Sequence, residues 1–105
     1  MVEIETLKGI FRRYKKEDII ITKHAEIQAY IREIDLEEVK ENITNPEKLV
    51  YAEEQSHEKQ GGKKYNCYFA YSNNLYHRYI LTMNGKIIIV TIIKINRKWQ
   101  RIVER

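Results

Sequence analysis

The sequence predicts an α+β domain with N-terminal helices packed on one face of an antiparallel β-sheet. Three observations carry this reading. Apolar residues recur at helical spacing before Pro46 and mostly at strand spacing after it. Asn84-Gly85 stands between two β-branched or aromatic runs, a strong hairpin signal. The longest apolar run, 87–93, is far short of the roughly 20 residues a membrane helix needs and reads as a strand. A chain of 105 residues has room for one core, so residues 1–105 are expected to form a single domain.

Each element has a local reason. Leu7, Ile10, Phe11 and Tyr14 predict an amphipathic helix over 6–16, ending in basic residues that suit its dipole. The β-branched stretch 18–22 predicts a short strand. Thr22 is placed to cap a helix starting near His24, with Ala25, Ile27, Gln28 and Ile31 following. Asp35, with Glu38 three residues on, has the capping-box spacing. The helix it opens carries Leu36, Val39 and Ile43 on one face and stops at Asn45-Pro46. Strands are then expected over 48–54, 65–71, 75–83 and 86–95, with a polar loop over 55–64 and a turn at 72–74. The Ile/Val content of the last strand predicts burial on both faces and a central or next-to-central position.

Charge is unevenly distributed. Residues 1–60 hold ten Lys or Arg against fourteen Asp or Glu, whereas 61–105 hold nine against a single Glu. A basic second half suggests a face for a polyanion, the alternative being a solubility surface. The single cysteine, Cys67, cannot form an internal disulfide or build a metal site alone, and it is expected to be a small buried hydrophobe. No metal-spaced cluster, phosphate-binding glycine loop or serine nucleophile motif is present, so no metal or other cofactor is expected. The N-terminus lacks a secretory pattern, which points to a cytoplasmic protein with no membrane contact.

The order of motifs resembles a known family. Thr22-Lys23-His24-Ala25, a short helix, Arg32, Ile34-Asp35-Leu36-Glu37-Glu38-Val39, Asn45-Pro46 and the last strand resemble a small family in the RelE/ParE toxin superfamily, close to BrnT-type toxins. The similarity covers about residues 18–95. Where many relatives have a second Arg one turn after the His, this chain has Gln28. Where many have Gly before the second of those helices, it has Glu33. The resemblance implies a RelE/ParE-like meander and a small basic ribonuclease toxin silenced by an antitoxin. Such enzymes cleave RNA without metal, using the ribose 2′-OH as nucleophile.

Metal-free cleavage needs a base near the 2′-OH, a cation for the phosphorane and an acid for the leaving 5′-oxygen. His24, at the position matching the family's His, is the expected acid/base, or else a tether for the helix start. His57 falls in the polar loop. Arg78, in an otherwise apolar and aromatic strand, is the expected catalytic cation, or else the partner of a helix carboxylate. His77 and Arg78 must face opposite ways on a strand. Lys94, Arg97, Lys98 and Arg101 are the expected phosphate contacts, and Tyr71 and Trp99 the expected base-stacking residues. Five of the eight tyrosines fall between 65 and 79, where they either stack bases or pack. The expected partners are RNA, ribosome-associated or free, and an antitoxin, with a homodimer left open. The rival reading is a non-catalytic module of the same fold that binds nucleic acid or a partner protein.

Overall fold

A computed structural model describes residues 2–55, 63–72 and 75–96. Three helices pack against one five-stranded sheet, so the α+β class holds. The order along the chain is α1 (Ile4–Phe11), β1 (Ile19–Ile21), α2 (Lys23–Ile31), α3 (Leu36–Thr44), β2 (Leu49–Gln55), β3 (Lys63–Ala70), β4 (Leu75–Met83) and β5 (Ile87–Asn96). Across the sheet the order is β1-β5-β4-β3-β2. Strands β2 to β5 form the expected antiparallel meander, and β1 adds to β5 in parallel, making the sheet mixed.

The caps explain the helix starts. Glu3 accepts from the Thr6 amide at 2.8 Å, starting α1 before the predicted Thr6. Thr22 Oγ1 accepts from Ala25 N at 3.2 Å, and Asp35 Oδ1 from Glu37 N at 3.0 Å, both at the expected residues. Helix α1 ends at Phe11, well short of the predicted Lys16; the chain then turns through 16–18 into β1. The exit of α2 is left-handed: Glu33 has φ 58°, Glu33 N donates to Tyr30 O at 3.2 Å, and Ile34 N donates to Ala29 O at 2.8 Å. This is a Schellman motif, and Ile34 buries itself as its apolar contact.

Parity on β4 decides the faces. Tyr79 and Leu81 are fully buried and His77 nearly so, facing the core with Tyr65, Cys67 and Phe69 of β3. Leu7 and Phe11 of α1, Ala25 and Ala29 of α2, and Val39 and Ile43 of α3 fill the other side of that core. Tyr76, Arg78 and Ile80 point to the face the helices do not cover.

Strand β5 departs from a regular ladder in one respect and from expectation in another. A bulge lies opposite Ile80/Leu81, where Thr91 and Ile89 are consecutive partners and Val90 is the extra residue. Simple alternation over the whole strand therefore fails: Ile87, Ile89, Ile92 and then Lys94 share the inner face. The strand is next to central, as expected, but its outer residues Ile88, Val90, Ile93 and Ile95 are only half-buried. Burial is complete on the inner face alone. The Asn84-Gly85 turn joins β4 and β5 as expected, with Gly85 at φ 85°.

Candidate functional site

The uncovered face carries a polar cluster at the centre of its aromatic strip. Tyr51 and Glu53 of β2, Asn66 and Tyr68 of β3, and Arg78 of β4 share this parity. Register puts Glu53 beside Asn66, and Tyr68 beside both Tyr51 and Arg78. Arg78 Nε donates to Asn66 Oδ1 at 2.7 Å, and its guanidinium carbon lies 5.8 Å from the Tyr68 ring centroid. Asn66 Nδ2 donates to Glu53 Oε1 and to the Tyr68 hydroxyl, each at 3.4 Å. The Tyr51 hydroxyl donates to Glu53 Oε2 at 3.0 Å. Burial, then this bond to Glu53, raises the Tyr51 pKa and keeps its proton in place.

Asn66 is the pivot. Its side chain is buried on the face that the helices leave open, and it bonds both Arg78 and Tyr68. An amide can accept from a guanidinium and donate to a carboxylate at the same time. It thus links Arg78 to Glu53, and among the described residues only Nε of the guanidinium has a hydrogen-bond partner. Among the described residues Arg78 makes no salt bridge, so the expectation of a helix carboxylate partner fails. The reason is parity: Arg78 points away from the helices.

A second cluster lies on the helix side. His77 is 1% exposed, and its Nδ1 lies 2.9 Å from the Tyr79 hydroxyl, which accepts from Asn42 Nδ2 at 2.9 Å. Burial, followed by the charges of Lys94 and Lys48, pushes the His77 pKa down to about 4. Tyr71 stacks on the imidazole at 4.5 Å between centroids, and Lys94 Nζ sits 5.6 Å from the Tyr71 centroid.

The predicted site residues therefore divide. Lys94 and Tyr71 come together, but around His77 rather than Arg78. His24 is exposed in the first turn of α2, in the helix layer, whereas Arg78 lies on the uncovered face. Thr22 caps the helix, and among the described residues the His24 side chain makes no hydrogen bond that would tether it. Arg97, Lys98, Trp99 and Arg101, like His57, lie outside the described residues.

No family model, curated protein or solved structure matches the chain. Among the described residues no group of three or more His, Cys, Asp or Glu could hold a metal ion. No described helix is long and apolar enough to cross a membrane. Cys67 is fully buried, and burial raises its thiol pKa, so it carries no nucleophile.

The sequence reading missed Tyr51, Glu53 and Asn66, and took Tyr68 only as one of the clustered tyrosines. Their signal was parity: Tyr51/Glu53 and Asn66/Tyr68 are polar or aromatic pairs two residues apart on neighbouring strands. The shared face becomes visible only once register is known.

Proposed function

We propose that this chain is a toxin-like RNA-binding protein of the RelE/ParE kind, cutting RNA without metal on the uncovered sheet face. The observation that carries the reading is the Arg78 guanidinium, oriented by a buried amide beside Glu53 and flanked by Tyr68. A phosphorane needs a cation fixed before the reaction, and Arg78 is so fixed. Glu53 takes the 2′-OH proton as the 2′-oxygen bonds to phosphorus. The Tyr51 hydroxyl gives its proton to the departing 5′-oxygen as the P–O5′ bond breaks. The Glu53–Tyr51 hydrogen bond then returns the proton to Tyr51. The products are a 2′,3′-cyclic phosphate and a 5′-hydroxyl end.

The basic second half of the chain attracts the RNA backbone. Helix α2 supports an antitoxin partner: Ile27, Tyr30 and Ile31 are 50%, 84% and 68% exposed at helical spacing, an apolar stripe suited to a partner. The non-catalytic reading draws support from His24, whose place in the helix layer deprives Arg78 of the expected imidazole. Incubating pure protein with end-labelled RNA in chelator decides between them. Cyclic-phosphate ends support cleavage; tight binding with intact RNA supports the module.

A further inference from the structure

Among the described residues, one ring nitrogen of the buried His77 imidazole has no hydrogen-bond partner. Asn42 Nδ2 can only donate, so the Tyr79 oxygen accepts from it, and the single Tyr79 proton is left for His77 Nδ1. The opposite arrangement, with the proton on Nδ1, would strand the hydroxyl hydrogen of a fully buried tyrosine and also leave Nε2 bare. Neutral His77 therefore carries its proton on Nε2. Among the described residues that atom has no hydrogen-bond partner.

The surroundings are cationic. Lys94 is the register partner of His77 on the same face of β5, and Lys48 lies just before β2. Both lysines act on His77 electrostatically, and neither forms a salt bridge among the described residues. From α3 come Asn42 and Glu38, and the Glu38 charge is felt at Tyr79 rather than at His77. A water there could accept from Nε2–H but would bring two further protons into the positive field of Lys94 and Lys48. An oxyanion has acceptors only. Tyr71 is 41% exposed and stacked on the imidazole.

We propose that this corner binds a phosphate oxygen, with His77 Nε2–H as donor, Lys94 and Lys48 as charge partners and Tyr71 as the cover that swings aside. Two lysines on separate elements suit a tetrahedral anion better than a two-oxygen carboxylate. The site lies on the opposite side of the sheet from Arg78 and does not depend on RNA being cleaved there. Its phosphate comes from free anion, a terminal monoester or an RNA backbone, which offer the same oxygen.

The test follows the imidazole nitrogens of His77 by NMR in the full ¹⁵N-labelled chain during titration with inorganic phosphate, against chloride at equal ionic strength. A saturating change at Nε2 with phosphate alone is expected. Lys94→Gln, a partly exposed position, should weaken it about tenfold, and Tyr71→Ala should preserve it. Equal, non-saturating responses to both salts, or an unchanged phosphate curve in Lys94→Gln, would overturn the proposal. Paired oligoribonucleotides with and without a 5′-phosphate then identify the source. A response to the phosphorylated strand alone marks a terminal monoester, to both a backbone diester, and to neither, with phosphate still saturating, the free anion.

Discussion

Gln28 Oε1 accepts the backbone N–H of Ile92 at 2.9 Å, completing β5 just beyond the point where β1 stops pairing with it. Strand β1 covers only Ile87 to Ile89, and the bulge at Val90 turns the next inner residue, Ile92, toward α2. A side chain from the helix thus substitutes for a missing strand. Where many members of the resembled family place an arginine, this chain uses an acceptor for structure.

Gln28→Leu should therefore destabilise the fold by about 1–3 kcal/mol, because it leaves a buried amide without a partner. Urea unfolding measures this directly. A loss within experimental error would mean that water reaches the Ile92 amide.

Glu33 makes the opposite prediction. At φ 58° a glutamate side chain crowds its own backbone, at a cost of about 1–2 kcal/mol that glycine avoids. Glycine's greater unfolded-state freedom returns about 0.5–1 kcal/mol of that. Glu33→Gly should thus raise stability by up to about 1 kcal/mol, or a Tm increase of about 4–8 °C for a full kcal/mol in a domain of this size class. Thermal unfolding checks it, and a lower Tm would contradict the Schellman geometry.

These two residues also show where the sequence was legible. Thr22, Asp35 and Pro46 act within a few positions of themselves, so helix boundaries near them could be read directly. Ala25, Val39, Ile43, Cys67 and Phe69 followed period and parity into the core. The bulge at Val90 depends on the partner strand, and nothing in an unbroken Ile/Val run marks it. A glycine at position 33 would have announced the left-handed turn; glutamate hid it. Arg78 stood out as a lone charge in an apolar strand, but Glu53 and Asn66 gained meaning only from register.

The buried imidazole makes stability depend on pH. His77 titrates near 6.5 when unfolded and is pushed to about 4 in the fold, so the unfolded chain binds more protons between those values. Stability should be full above pH 6.5 and decline as pH falls toward 4, by about 3 kcal/mol in all. Carboxylates whose pKa the fold lowers, Glu3 and Asp18, add losses lower down. Denaturation at a series of pH values, repeated on His77→Phe, isolates the histidine. The variant should be weaker near neutral pH, since Tyr79 loses its acceptor, but flat from 6.5 to 5. An unchanged slope in the variant would place the titration elsewhere.

The uncovered face yields the prediction that separates cleaving from holding RNA. Arg78 is asked to do both jobs: it meets the phosphate in the ground state and neutralises the phosphorane. Arg78→Ala should weaken RNA binding, reduce the salt slope of log K by about one unit, and abolish cleavage. Glu53 is asked only to move a proton. Glu53→Gln keeps an acceptor for Asn66 and turns its amide N–H toward the Tyr51 oxygen, but removes the base, so cleavage should fall about 10²–10⁴-fold. RNA affinity should hold or improve, because a negative charge has left the face. His24→Gln completes the comparison, since an exposed imidazole in the helix layer has no route to that phosphate. If His24→Gln abolishes cleavage while Glu53→Gln does not, the active centre lies with α2 and the sheet cluster is a binding surface. If Arg78→Ala leaves the salt slope intact, the uncovered face is not where the backbone lies.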